Sequence, residues 1–149
     1  MNRTILLVGL NHRTAGVDIR ERFSLGSNGD GTIRALPSSG AVSQSLILST
    51  CNRVELLATG NGDTQGQMLD SWARLCNATP EDLHPYIYVH KDLEAVRHLF
   101  SVASSLDSMV LGEPQILGQI KTAYRNAIQS HTTGVILNRL LHKAFSVAK

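Results

Sequence analysis

The sequence predicts an α+β fold, and three observations carry that prediction. Four short apolar runs rich in β-branched or aromatic residues recur through the first 90 residues. Segments of helical character separate the first run from the second and the third from the fourth. After residue 91 the period becomes helical and stays so to the end of the 149-residue chain. The order β-α-β-β-α-β followed by three helices matches a split βαβ pattern. The expected architecture is therefore a ferredoxin-like βαββαβ antiparallel sheet, with helices on one face and a C-terminal helical extension behind it. Residues 1–149 form one domain, with a sheet-forming part over 1–90 and a helical part over 91–149.

The first strand is "TILLVGL" (4–10), apolar throughout as a buried central strand would be. "VDIRERFSL" (17–25) has mixed helical character, and "GSNGDG" (26–31) reads as a loop. "TIRAL" (32–36) can begin another helical piece. "SQSLILST" (43–50) and "RVELLATG" (53–60) are the second and third strands, with only Cys51 and Asn52 between them. So short a connection predicts a tight turn at the cysteine. "NGDTQG" (61–66) reads as a turn, and Met68, Leu69, Trp72 and Leu75 mark a helix over 67–77. Thr79 is a plausible N-cap with Pro80 one position inside the next helix. "YIYVH" (86–90) is the fourth strand.

Three helices close the chain. Leu93, Val96, Leu99, Phe100, Ala103 and Leu106 share one face, and Asp92 is placed to cap it. The next begins near "EPQ" (113–115) and carries a stripe of Ile116, Ile120, Tyr124 and Ile128. The last runs through Ile136, Leu137, Leu140, Leu141, Ala144 and Phe145.

Composition narrows the classes of function. A chain of 149 residues can bury roughly 68–70% of its unfolded surface and needs no staple to fold. The net charge of +2 provides no basic stripe, so nucleic acid is allowed as a partner and not demanded. Cys51 and Cys76 are the only cysteines and form no C-x-x-C pair, which argues against structural zinc and makes a site without metal the expectation. The apolar run at the start is shorter than a signal peptide's core, and no stretch approaches the ~18 apolar residues of a membrane span. A cytoplasmic location with no membrane partner is expected.

Cys51 is the residue with the most chemistry. A free cysteine commonly packs as a small hydrophobe. Here Thr50, Asn52 and Arg53 surround it with polarity at a strand end, where functional residues concentrate. If 51–53 stays extended, Cys51 and Arg53 point to one face, and a guanidinium there favours a nucleophilic thiolate. Arg53 could equally bind a substrate carboxylate. Cys76, in an amphipathic helix, reads as packing. Among six histidines, His84, His131 and His142 look like surface residues, while His12 and His90 end strands. His98 lies inside a helix beside Leu99 and Phe100, either a histidine with a satisfied hydrogen bond or a catalytic group. In "SLDSMVLGEPQILGQIK" (105–121), Gln115 and Gln119 are one turn apart and can share a pocket. Gly118 inside that helix suggests close approach by another backbone or a ligand.

At these residues the chain resembles the N-terminal catalytic domain of the glutamyl-tRNA reductases. "LVGLNHRTA" (7–15), "LSTCNRVEL" (48–56), "HLFSVASSLDSMVLGEPQILGQIKTAY" (98–124) and "FSVAK" (145–149) match that family's pattern in order. Gly16 and Ser105 depart from it, standing where the family usually has proline and glycine. The resemblance implies NADPH-dependent reduction of glutamyl-tRNA to glutamate-1-semialdehyde, at the entry to tetrapyrrole synthesis. It implies Cys51 as the nucleophile that forms a glutamyl thioester, with His98 assisting. Thr50, Asn52, Arg53, Ser108, Glu113, Pro114, Gln115 and Gln119 match the glutamyl pocket. NADPH binding and homodimerisation belong, by the same resemblance, to domains beyond these residues, and no G-x-G-x-x-G follows a strand here. The resemblance also admits hand-over of the aldehyde to glutamate-1-semialdehyde aminomutase. The chain alone is expected to take up the glutamyl group and not reduce it. Two other classes stand beside this reading: a non-catalytic module that holds the tRNA acceptor end, and a cysteine hydrolase of unrelated substrates.

Overall fold

Alternating side chains in a strand face opposite ways, so a strand apolar on every residue needs cover on both sides. β1 (Thr4–Asn11), β2 (Val42–Ser49) and β3 (Arg53–Gly60) have that cover along most of their length, and all eight residues of β3 are buried, the polar Arg53, Glu55 and Thr59 included. The structure, a computed structural model, describes residues 3–26, 40–106 and 115–148. With β4 (Tyr88–Lys91) the strands form one antiparallel sheet in the order β2-β3-β1-β4. This is the ferredoxin-like order, with β3 inserted between β1 and β2.

One face is covered by α1 (Val17–Arg22), α2 (Thr64–Leu75) and α3 (Pro80–Leu83). Leu6, Val8, Leu10, Leu56 and Ala58 meet Phe23, Met68, Trp72 and Leu83 there. Trp72 donates its indole N–H to the Phe23 carbonyl at 2.9 Å, which ties α2 to the end of α1. The opposite face carries α4 (Leu93–Ala103), α5 (Ile116–Gln129) and α6 (Val135–Val147). Leu7, Leu46, Leu48 and Leu57 pack there against Leu99, Ile120, Leu137 and Leu141. The helical extension is thus the second cover of the sheet. Gln44, at a bulge in β2, accepts from the Leu137 amide at 3.0 Å and satisfies an open end of α6.

Several boundaries differ from the sequence reading for local reasons. Residues 64–66, expected in a turn, open α2 because the Asp63 carboxylate caps the Gly66 amide at 3.0 Å. His84–Tyr86 is a 3-10 turn around Pro85, so the fourth strand starts at Tyr88. Asp92 precedes α4 as expected, yet its carboxylate accepts from the Ile5 amide of β1 rather than from the helix. On α5, Ile128 is exposed, and Ala123 and Ala127 take the buried positions of the stripe. "TIRAL" and the expected helix start at Glu113 and Pro114 lie outside the described residues.

Candidate active site

The β2–β3 connection holds Cys51 at its tip. Thr50 donates its amide to the Arg53 carbonyl at 2.8 Å and closes the turn. The Thr50 hydroxyl oxygen accepts from the amides of Asn52 and Arg53, at 3.1 and 3.2 Å. A threonine that hydrogen-bonds backbone two and three residues ahead is a rigid turn former. The turn replaces the extended conformation on which a shared face for Cys51 and Arg53 depended. Cys51 is exposed, and no hydrogen bond reaches its thiol among the described residues. It lines a cavity of about 280 Å³ with Thr50 and Asn52, with Val17, Arg20 and Glu21 of α1, and with Ser24 just past that helix.

Arg53 goes inward instead. Its side chain is fully buried, with a guanidinium nitrogen 3.5 Å from Glu55 Oε2. The same oxygen accepts from Tyr88 Oη at 2.5 Å and makes a short contact with His98 Nε2. An ionised carboxylate only accepts, so a charged Glu55 takes the Nε2–H of His98. His90 stacks on His98 at 4.6 Å between ring centroids, and Tyr88 lies 5.3 Å from the same ring. Gly9 makes the cluster geometrically possible. It pairs with Glu55 on one side and Tyr88 on the other, and a Cβ there would stand 2.8 Å from Glu55 Cγ and 3.0 Å from Tyr88 Oη. Without a side chain on β1, the residues of β3 and β4 meet across it.

Sequence reasoning missed Glu55 and Tyr88. A signal was present: Arg53 and Glu55, opposite in charge and two apart, sit on one face of a strand otherwise fit for burial. Glu55 is also the third group that orients His98, which the linear sequence did not disclose.

Gln115 and Gln119 border a second cavity, of about 470 Å³, with Ser49, Gly118 and Thr122. A Cβ at Gly118 would meet nothing within 4 Å, so no backbone approaches that glycine, and it opens onto the cavity. The two cavities share a wall. Ser24 lines the first, Ser49 the second, and their hydroxyls are 3.3 Å apart. Ser108, Glu113 and Pro114 lie outside the described residues. Cys76 packs at the end of α2 against the first apolar layer. Among the described residues no group of three His, Cys, Asp or Glu side chains could hold a metal ion, and no helix is long and apolar enough to cross a membrane.

Comparison with known proteins bears on what such a site serves. Residues 8–149 match the family model described as glutamyl-tRNA(Glu) reductase, N-terminal domain. A glutamyl-tRNA reductase of Desulfovibrio desulfuricans is 70% identical over 149 residues, all of this chain and 35% of that protein. One from Nitratidesulfovibrio vulgaris is 61% identical over 150 residues, again all of this chain and 34% of that protein. Among solved structures, glutamyl-tRNA reductase from Methanopyrus kandleri superposes with a TM-score of 0.73 at 34% identity, over 95% of this chain and 32% of that one. The chain spans about a third of the length of the curated relatives it matches. With the fold, the sequence match and the structural match in agreement, the chain belongs to the glutamyl-tRNA reductase N-terminal domain family.

Proposed function

We propose that this chain carries the acyl-transfer half of an NADPH-dependent glutamyl-tRNA reductase. The Cys51 thiolate attacks the carbonyl carbon of the glutamyl ester. The carbon–oxygen bond to the terminal ribose breaks, that oxygen takes a proton, and a glutamyl thioester remains on Cys51. Splitting one hard displacement into two easier ones is what a covalent intermediate provides, and a thioester accepts hydride more readily than an ester. His98, oriented by Glu55, serves the proton transfer. Gln115 and Gln119 hold the glutamyl group together with Ser108, Glu113 and Pro114, Thr50 and Asn52 hold the substrate at the reacting ester beside Cys51, and Arg53 supplies buried positive charge behind the turn.

NADPH, bound outside this chain's residues, supplies the hydride that turns the thioester into glutamate-1-semialdehyde and frees the thiolate. The homodimer, hand-over of the aldehyde to the aminomutase, and a cytoplasmic setting belong to the same proposal for the longer protein. The observation that carries the reading is the exposed Cys51 thiol, mounted on a Thr50-braced turn at the rim of a cavity that Arg20, Glu21 and Asn52 also line.

Intact-protein mass spectrometry after mixing with glutamyl-tRNA, without NADPH, tests it. A glutamyl adduct is expected on the unsubstituted chain and not on Cys51→Ser. Adding NADPH should yield no aldehyde from this chain alone. An adduct that survives Cys51→Ser would sink the assignment. Equal tRNA retention by both proteins with no adduct on either would favour a module that only holds the acceptor end.

A further inference from the structure

Arg20 is the cation that the reading above leaves unused. It lies on α1 and lines the 280 Å³ cavity with Cys51, Asn52 and Thr50. Its Nε is buried with no hydrogen-bond partner, and among the described residues no carboxylate pairs with its guanidinium. Its neighbours are committed elsewhere. Arg53 pairs with Glu55, and Arg22 lies 3.6 Å from Asp82 and against the Phe23 ring. Glu21 lines the same cavity without an ion pair to Arg20. A buried donor without an acceptor costs free energy until a ligand supplies one.

The two cavities differ in chemistry. The larger presents the amides of Gln115 and Gln119 with the hydroxyls of Ser49 and Thr122, and among the described residues no charged side chain lines it. The smaller is lined by both Cys51 and Arg20. Cys51 is two residues past Ser49, whose contact with Ser24 forms the wall between them. An aminoacyl ester is likewise two-sided about its carbonyl carbon. The glutamyl chain extends one way, and the ribose of the terminal nucleotide, with its phosphodiester, extends the other.

We propose that Arg20 binds a phosphodiester of the single-stranded acceptor end, so that the Cys51 cavity seats the departing nucleotide while the Gln115–Gln119 cavity takes the glutamyl group. This deepens the acyl-transfer reading and rests on it. Arg matches phosphate with paired donors, and such contacts position a nucleic acid without reading its bases. Arg20 is therefore a substrate-positioning residue for the leaving group.

Deacylated tRNA isolates this contact, because it keeps the phosphates and lacks both the glutamyl group and the ester. Its binding to the unsubstituted chain, Arg20→Gln and Arg20→Lys is measured across a salt series, with thermal melts as the folding control. Arg20→Gln is expected to weaken binding about tenfold at low salt and to reduce the slope of log K against log salt by about 0.7, the value for one phosphate on a single strand. Arg20→Lys keeps the charge and should restore the slope. In the unsubstituted chain, the Arg20 Nε–H resonance should shift on adding the dinucleotide CpA and not on adding adenosine, a readout that needs no variant to fold.

Unchanged affinity and slope in Arg20→Gln, or a resonance that CpA leaves in place, overturns the proposal. So does an absence of deacylated-tRNA binding by the unsubstituted chain. Loss of glutamyl uptake in Arg20→Gln with deacylated-tRNA binding intact would assign Arg20 to the glutamyl carboxylate instead. Failure of the Cys51 chemistry shows separately, as an adduct that persists in Cys51→Ser.

Discussion

Gly16 and Ser105, the two positions that depart from the family pattern, have backbone conformations that favour the residues they lack. Gly16 has φ −70° and ψ 175°, within the range proline fixes, and a Cβ there meets nothing within 4 Å. Ser105 has φ +63°, a left-handed conformation that costs a residue with a Cβ about 1–2 kcal/mol and glycine almost nothing. Gly16→Pro is expected to stabilise the fold by about 0.4–1 kcal/mol, through a less disordered unfolded chain. Ser105→Gly should add about 0.5–1 kcal/mol, the strain relieved less the entropy glycine returns to the unfolded state. Urea unfolding of each variant measures this, and a loss of stability in either would refute the conformational argument. The same scale shows what a linear sequence hides. Cys51 stood out because polar neighbours interrupt an apolar pattern. Glu55 did not, because its partners Tyr88 and His98 arrive from β4 and α4, far along the chain.

At the level of elements, strands and long helices were legible because burial dictates their pattern, while short caps and turns depend on single side chains. Thr79 and Pro80 correctly announced α3, but only the structure shows how its first turn is held. Asp82 Oδ2 accepts from the Thr79 amide at 3.0 Å and from the Thr79 hydroxyl at 3.1 Å. These bonds, the backbone one foremost, and the nearby Arg22 guanidinium hold the Asp82 carboxyl below the usual aspartate range. A lowered folded-state pKa means the cap contributes above the ordinary value of about 3.9 and is lost as pH falls through the lower folded value. Carbon-detected NMR titration should place the Asp82 midpoint below about 3.9, and Thr79→Ala should raise it. An unshifted midpoint in the parent chain would contradict the capping geometry. The start of α2 was misread for a related reason: "NGDTQG" has turn composition, yet one carboxylate, Asp63, turns its second half into helix.

For the molecule as a whole, the covered sheet ties distant segments to one buried carboxylate. Glu55 of β3 is joined to its own strand through Arg53, to β4 through Tyr88 and to α4 through His98, across the gap left by Gly9 on β1. Glu55→Gln removes the charge while nearly keeping the shape. It takes an ionised partner from the fully buried Arg53, so a loss of about 3–5 kcal/mol in unfolding free energy is expected. His98 loses the carboxylate beside its Nε2 in the same variant, so under the proposed acyl transfer glutamyl uptake on Cys51 should slow as well. A variant of unchanged stability would show that other groups in the cluster compensate the Arg53 charge. The ferredoxin-like order and its two covers were readable because period and connection length limit the topologies open to such a chain. The meeting of residues 9, 53, 55, 88 and 98 was not, since it depends on register across three strands.

The turn that carries Cys51 also has a kinematic consequence. Its backbone is closed by Thr50 and Arg53, and the strands on either side are locked between two packed layers, so the sulfur is a fixed mount with no swinging arm. A cargo loaded there stays where it was loaded. Under the proposed acyl transfer, whatever acts next would have to travel to the cargo, and the timing of the second step would be set by the visitor's motion rather than by any movement of the loaded residue.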